Sequence, residues 1–294
     1  MYKRLYDEFM QELRNRKLNS NQTIYHYTSA NGLNGILNSK KIWFSNTRFL
    51  NDEQERCYTY KLIIDEINKM PKSPLNEGLI SYYDENSKEK NNVNTNYFEY
   101  DYYIACFSNN KDSLSLWNYY TKSDNSTGYN IEFDKNELIN NLDLTAMDIH
   151  GQVIYKENEQ RELIKKILKR YNEEYNKIKE DDIDSRLNMG TYMSLLISFY
   201  SLFFKHPAFE HEEEYRIAIG KNSINNNKFK CKFRAYKDFF IPYFEKDFNK
   251  SCIKSITISP TQKQKITQES IKKMLSEMSY KNIKVVNSDI PLRY

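Results

Sequence analysis

Acidic residues that lead into an arginine form the first stretch of this sequence whose side chains could do chemistry. It is residues 210–216, Glu-His-Glu-Glu-Glu-Tyr-Arg. If a strand begins near Glu212, Glu212, Glu214 and Arg216 lie on one face, because side chains alternate along a strand. Clustered carboxylates need a cation or a ligand beside them. Two interpretations stay open, a ligand-binding face and an acidic loop that leads into an ordinary edge strand.

A metal site is the competing hypothesis for this stretch, since His206 and His211 lie close to the glutamates. Their spacing matches neither the i, i+4 histidine pair of zinc hydrolases nor a zinc finger. The sequence also lacks the nucleophile elbow of serine hydrolases. We therefore expect no metal cofactor and no Ser–His or Cys–His catalysis.

His26 marks the second stretch, which reads Ile-Tyr-His-Tyr-Thr-Ser over residues 24–29. The pattern predicts a strand, then a helix with Ser29 as its N-cap, then a second strand that carries Trp43. The N–H groups at a helix N-terminus favour anions. His26 is thus either a ligand-facing side chain or a structural histidine held between two tyrosines.

Composition narrows the class of protein. The 294 residues include 44 basic and 40 acidic ones, and the net charge of +4 gives no strong overall attraction to nucleic acid. The four cysteines are far apart without a C-x-x-C motif, which favours a reducing, cytoplasmic location. The charged N-terminus resembles no signal peptide, and the apolar run 189–204 is too short and polar to span a membrane. Seven glycines and no glycine-rich loop argue against a phosphate cradle.

Hydrophobic periodicity predicts an α+β protein in a single domain, 1–294. An amphipathic helix opens the chain, a mobile polar insertion covers about 71–96, and a helical insertion covers about 157–205. A helix is expected over about 53–70, with Asn51 or Asp52 as its cap. Further strands and helices are expected in this order: strand 101–107, a short helix from 112 or 113, strand 128–134, strand 149–155, strands 215–219, 229–236, 238–244 and 253–259, helix 263–279 and strand 283–286.

Several short motifs occur in an order that resembles a widespread bacterial family of uncharacterised proteins. They are His26-Tyr27-Thr28-Ser29, Gly35-Ile36-Leu37, Trp43-x-Ser45-Asn46, Leu50-Asn51-Asp52-x-x-Glu55, Cys106-Phe107-Ser108, Leu114-Ser115-Leu116-Trp117-x-x-Tyr120, Gly128-x-x-Ile131-x-Phe133 and Phe209-x-x-Glu212-x-Glu214-Tyr215-Arg216. That family looks like a distant branch of the ADP-ribosyltransferase superfamily. Some relatives resemble abortive-infection proteins, which act in phage defence.

This resemblance implies a role for particular residues. His26 with Thr28 would hold the ribose of NAD, Ser108 would be the middle-strand element, and Glu214 would be the catalytic carboxylate. Glu212 would assist Glu214, as in the two-carboxylate motif of arginine-directed members. Further NAD contacts would come from Tyr27, Trp43, Ser45, Asn46, Trp117, Tyr120 and Arg216. From spacing alone, Trp117 and Tyr120 are more typical of a helix packed into the core than of cofactor contacts. Arg216 could pair with Glu212 or Glu214 instead of a pyrophosphate.

The resemblance also implies the fold and the activity. The fold is expected to be an ADP-ribosyltransferase-like split antiparallel sheet with a helical insertion. The activity would be ADP-ribosyl transfer from NAD to a protein or nucleic acid, or NAD hydrolysis, in a cytoplasmic toxin or phage-defence effector, which an inhibitory partner or antitoxin could restrain. One alternative is an inactive module that binds a nucleotide or a partner. Another is a nucleic-acid enzyme or binder with a basic edge from Lys40, Lys41 and Arg48.

Overall fold

The computed structural model describes residues 1–15, 22–49, 53–88, 102–121, 127–144, 148–220, 230–236, 238–261 and 264–291. The helices of these residues are α1 (Tyr2–Asn15), α2 (Ala30–Ser39), α3 (Glu53–Asn68), α4 (Pro74–Lys88), α5 (Leu114–Thr121), α6 (Lys135–Asn141), α7 (Glu157–Tyr175), α8 (Ile183–Ser201) and α9 (Gln264–Glu277). The strands are β1 (Thr23–Thr28), β2 (Lys41–Asn46), β3 (Tyr102–Ser108), β4 (Tyr129–Asp134), β5 (Ile149–Gln152), β6 (Glu214–Gly220), β7 (Lys232–Tyr236), β8 (Phe239–Asp247), β9 (Ile253–Ile258) and β10 (Lys284–Asn287).

The chain divides into two compact units, where the sequence predicted one domain. Each unit is assembled from three separate segments of the chain. Unit 1 comprises Met1–Leu18, Leu50–Asp101 and Gly151–Glu210, and unit 2 comprises Asn19–Phe49, Tyr102–His150 and His211–Tyr294. Neither unit can therefore be cut out as one continuous stretch of sequence.

Unit 1 contains the helices α1, α3, α4, α7 and α8. Helix α1 buries Leu5 and Phe9, which follow the helical spacing seen in the sequence. Helix α7 buries the apolar face that the sequence predicted, including Ile164, Leu168 and Tyr171. The predicted helices over about 53–70 and within 157–205 are confirmed, whereas the capping role of Asn51 or Asp52 lies outside the described residues.

The polar insertion predicted over about 71–96 is wrong for residues 74–88, which form helix α4. Leu75, Leu79 and Tyr83 recur at a spacing of four and are buried. The Asn, Ser and Glu content of this segment obscures that apolar stripe, although its helical periodicity is present in the sequence. Residues 89–101 lie outside the described part of the chain.

A mostly antiparallel sheet is the framework of unit 2, and it has ten strands within the described residues. Its main order is β10-β9-β4-β1-β3-β2-β8-β7, and β6 pairs with β3 and with the short strand β5. The β9–β10 pair is parallel. The pairs of β3 with β1, β2 and β6, of β4 with β1 and β9, and of β8 with β2 and β7 are antiparallel. The predicted mixed α and β class with a mostly antiparallel sheet is confirmed at that level, and helix α6 was not predicted.

The sheet is split along one edge of β3. That edge pairs with β2 at Tyr103 and Ile104 and with β1 at Ser108, while the opposite edge pairs along its whole length with β6. Strands β1 and β2 therefore separate from each other beside β3. The coarser expectation of a mostly antiparallel sheet is confirmed, and the likeness to the split ADP-ribosyltransferase sheet stays a prediction.

The turn from β1 into α2 follows the sequence closely. Ser29 caps α2, because its Oγ accepts a hydrogen bond of 3.2 Å from the Gly32 amide, as predicted. A Cβ atom at Gly32 would lie 1.9 Å from Thr28 Oγ1, so only glycine fits against this side chain. Gly35, one turn later, has open space where its Cβ would be.

Two different faces result from the registers of the sheet. One face carries Ile24, Phe107 and Phe133, which are buried apolar side chains. The opposite face carries polar residues at the corresponding positions, including Tyr25, Ser108 and Glu214. We call this second side the polar face; it is where the candidate site lies.

Of the helices in the described ranges, none is long and apolar enough to cross a membrane. Most of the apolar run 189–204 belongs to α8, which buries Met193, Leu196 and Tyr200 within unit 1. The Tyr200 hydroxyl donates a hydrogen bond of 2.9 Å to the Phe9 carbonyl, which ties α8 to α1.

Candidate active site

Three strands from distant parts of the sequence bring Tyr25, Ser108 and Glu214 into one row on the polar face. Tyr25 of β1 lies opposite Ser108 of β3, and Ser108 lies opposite Glu214 of β6. Directly paired residues of neighbouring strands point to the same face, so the three side chains share it. The row continues to Glu132 of β4, which pairs with Tyr25.

Glu214 is held by Arg216, two residues further along β6. The guanidinium donates two hydrogen bonds to the carboxylate, Nε to Oε1 at 2.7 Å and Nη2 to Oε2 at 2.9 Å. Glu214 is 5% exposed and Arg216 is 4% exposed. Such a bidentate pair fixes the plane of the carboxylate and compensates its charge in a place that water barely reaches. Pairing with Glu214, one of the uses proposed for Arg216, is confirmed.

The expectation that Glu212 shares a strand face with Glu214 is wrong. Strand β6 begins at Glu214, and Glu212 ends a 3-10 turn over Pro207–Glu212. Between them Glu213 has a φ of 45°, in the left-handed region that non-glycine residues seldom adopt. That conformation breaks the two-residue alternation on which the prediction depended.

Ser108 and the asparagines after it hold this strained segment in place. Ser108 Oγ donates a hydrogen bond of 2.7 Å to the Glu212 carbonyl, and Asn109 donates its backbone N–H to the Glu213 carbonyl at 2.8 Å. The Asn110 side-chain amide donates to Glu213 Oε1 at 2.8 Å. A backbone conformation of this cost persists only where its surroundings over-determine it, and such places cluster at functional sites.

His26 lies beside the split in the sheet. Its Nδ1 is 3.1 Å from the Cys106 carbonyl of β3, and a carbonyl can only accept, so Nδ1 carries the hydrogen. Burial lowers the pKa of His26, and the bond to the Cys106 carbonyl opposes that shift. The ring is therefore a neutral imidazole whose Nε2 is an acceptor, and no hydrogen bond within the described residues reaches Nε2.

By alternation His26 points away from the face that carries Glu214. Its neighbour Tyr25 is in the row with Ser108, and the His26 ring lies 5.6 Å from the Phe107 ring on the opposite face. The structure brings His26 to the strand that carries Ser108 without placing it in the row with Glu214.

Tyr27 and Trp117 support the loop after β3 from inside the protein. Their rings lie 4.7 Å apart edge to face, and they are 5% and 2% exposed. The Tyr27 hydroxyl donates to the Asn110 carbonyl at 2.9 Å and accepts from the Ser113 amide at 3.0 Å. Burial raises the pKa of Tyr27 well above its usual range. These contacts favour the core interpretation of Trp117 over an NAD contact.

Thr28 and Tyr120 are two further residues for which the sequence predicted a contact with NAD. Thr28 packs against Gly32 at the start of α2 and is half-buried. Tyr120 belongs to α5, and its side chain lies outside the part of the structure that is described.

Trp43 and Ser45 lie on the polar face, and Asn46 does not. Ser45 of β2 pairs with Ile104 of β3, and Ile104 pairs with Ala218 of β6. Ala218 lies two residues after Arg216 and so shares its face. Ser45 therefore lies on the same face as Arg216. Trp43 is 46% exposed and its ring lies 4.3 Å from that of Tyr243. Asn46 is buried on the other side, and its Oδ1 accepts the Arg48 amide at 3.0 Å, which stabilises a turn.

Sequence reasoning missed two charged residues of the polar face, Glu132 and Arg234. Glu132 accepts hydrogen bonds from Tyr25 at 3.5 Å and from Ser255, its register partner in β9. Arg234 Nη2 donates to Ser45 Oγ at 3.4 Å, across the intervening strand β8. Alternation within β4 and β7 predicts which residues of each strand share a face with Glu132 or Arg234. Only the register between strands shows that these faces are the one that carries Tyr25, Ser108 and Glu214.

Among the described residues no group of histidine, cysteine or carboxylate side chains is arranged to hold a metal ion. The His206 ring packs on Tyr58, and the His211 ring lies 6.0 Å from that of Tyr119.

Comparison with known proteins gives one match. No curated protein and no solved structure matches the chain significantly. Nothing in these comparisons links the chain to ADP-ribosyltransferases. The family model that matches is described as "Protein of unknown function (DUF2971)", and this domain is found at residues 116–217, which are 102 of the 294 residues.

Proposed function

We propose that unit 2 cleaves the bond between nicotinamide and ribose in NAD and transfers ADP-ribose to an acceptor or to water, with Glu214 as the catalytic carboxylate. One observation carries the proposal. The strands that bear His26, Ser108 and Glu214 are direct neighbours in the order β1-β3-β6, and Ser108 and Glu214 face each other in register. An ADP-ribosyltransferase-like site would require these three strands to be neighbours. They are far apart in the sequence, so the order of the chain alone does not make them neighbours.

The reaction requires mainly that the protein orient NAD and place a negative charge beside the ribose. The C–N bond breaks, its electron pair leaves with nicotinamide, and the ribose carbon becomes an oxocarbenium ion. A fixed carboxylate stabilises that positive charge, much as carboxylates do in glycosidases. An acceptor hydroxyl, amine or water then forms the new bond to the ribose carbon and releases a proton. Glu214 is fixed by two hydrogen bonds from Arg216, which suits this role.

The other residues of the site would take supporting roles. His26 Nε2 is an acceptor and a ribose hydroxyl is a donor that would suit it, although alternation along β1 turns His26 to the face opposite Glu214. Glu212 is not available as the second carboxylate on the Glu214 face, because its segment precedes the strand. Ser108 would act through the Glu212–Glu214 backbone that it holds.

The wider biological part of the proposal follows the same resemblance. We propose a cytoplasmic toxin or phage-defence effector that modifies a protein or nucleic acid and is restrained by an inhibitory partner. Growth arrest on induced expression that disappears with Glu214→Gln would support it.

A second function is favoured by a specific observation. Both carboxylate oxygens of Glu214 are occupied by Arg216, and the pair is nearly inaccessible to solvent. This arrangement also suits an inactive module that binds a nucleotide or a partner, in which the pair only supports β6. Such a module would bind its ligand equally well after Glu214→Gln.

Nicotinamide release from labelled NAD separates the two functions. We expect Glu214→Gln to lower release by about a hundredfold or more, because the amide keeps the shape but loses the charge. Glu269→Gln is the matched control, since Glu269 is exposed on α9, and it should keep wild-type release. Thermal unfolding of each variant checks that the fold is intact.

Wild-type turnover by Glu214→Gln would reject the catalytic assignment. Absence of release from the wild-type protein, with and without cell lysate and nucleic acid as acceptors, would favour the binding module.

A further inference from the structure

Arg234 is a half-buried cation whose partners are incomplete. Its Nη2 donates to the neutral Ser45 hydroxyl at 3.4 Å, and its guanidinium carbon lies 5.9 Å from the centre of the Tyr236 ring. Its Nε is buried and has no hydrogen-bond partner among the described residues. A buried donor without an acceptor is costly, and a buried guanidinium is ordinarily matched by an anion.

Two other arginines of the described chain, Arg216 and Arg161, show this usual arrangement. Arg216 binds the Glu214 carboxylate, and Arg161 binds the carboxylates of Glu66, Asp65 and Glu157. No carboxylate within the described ranges lies within ion-pair distance of Arg234. Burial lowers the pKa of Arg234, opposed only by Tyr236 and Tyr243. Arg234 is therefore equipped for an anion that the described side chains do not supply.

The carboxylates that β8 carries on the polar face are paired with lysines. Glu245 lies 2.7 Å from the Lys232 amine and 3.6 Å from the Lys41 amine, and Lys41 also lies 3.4 Å from Asp247. An incoming anion would therefore meet little repulsion on this part of the polar face.

An aromatic surface adjoins Arg234 on the same face. Trp43, at 46% exposure, lies over Tyr243, which pairs with Ser45 and Lys232 in the neighbouring strands. Strand β2 pairs with β3 only at Ser45 and Asn46, so the stretch that contains Trp43 borders the split in the sheet. An exposed indole on a rigid sheet is suited to stack on a flat ring.

We propose that Trp43, Ser45 and Arg234 form a nucleotide-binding subsite, in which the base stacks on the Trp43 indole and a phosphate binds the Arg234 guanidinium. A flat ring and an anion joined in one molecule are what this pair of groups would recognise together. Arg216 is engaged by Glu214, and Arg234 takes the phosphate in its place. The inference rests on the proposed function only in making NAD the expected ligand; binding itself requires no chemistry at Glu214.

Tryptophan fluorescence reports on this subsite directly. The chain has two tryptophans, and Trp117 is 2% exposed, so quenching by an added ligand reports on Trp43. The wild-type protein, in which Glu214 keeps Arg216 engaged, is titrated with adenosine, AMP, ADP-ribose and a short oligo(dT). We expect AMP and ADP-ribose to quench the emission, and Trp43→Phe to abolish the quenching.

Arg234→Gln should weaken AMP binding by about tenfold to a hundredfold, because a hydrogen bond to a charged group is lost, and should leave adenosine binding nearly unchanged. Arg234→Lys should recover part of the affinity. Lys272→Gln, which removes an exposed cation on α9, is the matched control and should bind as the parent does. Quenching by oligo(dT) alone would assign the subsite to a nucleotide within a strand, and quenching by AMP would assign it to a free one.

Equal AMP affinity in Arg234→Gln and its parent, or no quenching by any of the four ligands, would overturn the subsite. Quenching that depends on Arg234 in a protein that releases no nicotinamide would retain the subsite and reject the proposed reaction. If nicotinamide release depends on Glu214 but the KM for NAD is unchanged by Arg234→Gln, the proposed reaction is retained and the subsite is rejected.

Discussion

Single residues of the site are defined by their hydrogen-bond partners more than by their type. His26 stands between two tyrosines in the sequence, and its type alone allows an acid, a base or a structural role. The Cys106 carbonyl decides among these by requiring a hydrogen on Nδ1, and burial disfavours the imidazolium. The histidine is thereby an acceptor at Nε2.

The ionisation of His26 can be measured by NMR. We expect His26 to titrate below the ordinary value of 6.5 and to show the Nδ1–H tautomer at neutral pH. Because the folded pKa is depressed, its contribution to stability is complete above pH 6.5 and is lost as the pH falls through the folded pKa. One-bond and long-range ¹H–¹⁵N spectra of the four histidines, assigned with His26→Asn, give both quantities.

A His26 resonance that titrates at or above the value of a free histidine would contradict this prediction. So would the Nε2–H tautomer, which cannot form the observed contact with the Cys106 carbonyl.

At the scale of elements, the connection from β1 to α2 depends on close packing in a single turn. Helix α2 contains two glycines, Gly32 and Gly35, and helical propensity treats them alike. Only at Gly32 does the Thr28 side chain occupy the space of a Cβ atom. The two positions therefore form a matched pair for testing this packing.

Gly32→Ala should lower the free energy of unfolding by about 1–3 kcal/mol, because Thr28 must move to admit the new Cβ. Gly35→Ala should raise it by about 0.5–1 kcal/mol, since alanine costs less backbone entropy in a helix and meets nothing. Urea unfolding of the two variants measures both changes. Thr28→Ala combined with Gly32→Ala should recover most of the loss if the Thr28 contact is the cause.

If both glycine variants changed stability in the same direction, the close approach of Thr28 to Gly32 would not be the reason for glycine at that position.

On the scale of the whole molecule, the chain passes more than once from one unit to the other. Residues 116–217, where the DUF2971 domain is found, run from α5 in unit 2 through α7 and α8 in unit 1 and back to β6 in unit 2. Strand β4 lies within this stretch, but its neighbours β1 and β9 lie outside it, and β6 is separated from its partner β3. The matched stretch is thus not a folding unit.

A fragment of residues 116–217 should fail to fold when it is produced alone. Its strands would expose unpaired edges and apolar faces that the missing strands cover. We expect a circular dichroism spectrum without cooperative thermal unfolding, in contrast to the full-length protein. A fragment that unfolds cooperatively would show that the matched region is autonomous.

The amino-acid sequence by itself determined the local elements and their chemistry. Helices and strands follow from periodicity between near neighbours, so α1, α7 and the β1–α2–β2 turn with its Ser29 cap could be predicted. The sequence also singled out Glu214, Arg216 and Ser108, which do meet across β3 and β6. Periodicity could equally have found α4, where composition obscured the apolar stripe.

Only the tertiary structure decided which side chains share a face and what each one contacts. The left-handed backbone at Glu213 separates Glu212 from Glu214, and the register of β1 with β3 aligns Tyr25, not His26, with Ser108. Arg234 meets Ser45 although 189 positions separate them in the chain. Register between distant strands is set by long-range packing and not by neighbouring residues, and for that physical reason the sequence could name the residues but not assemble the site.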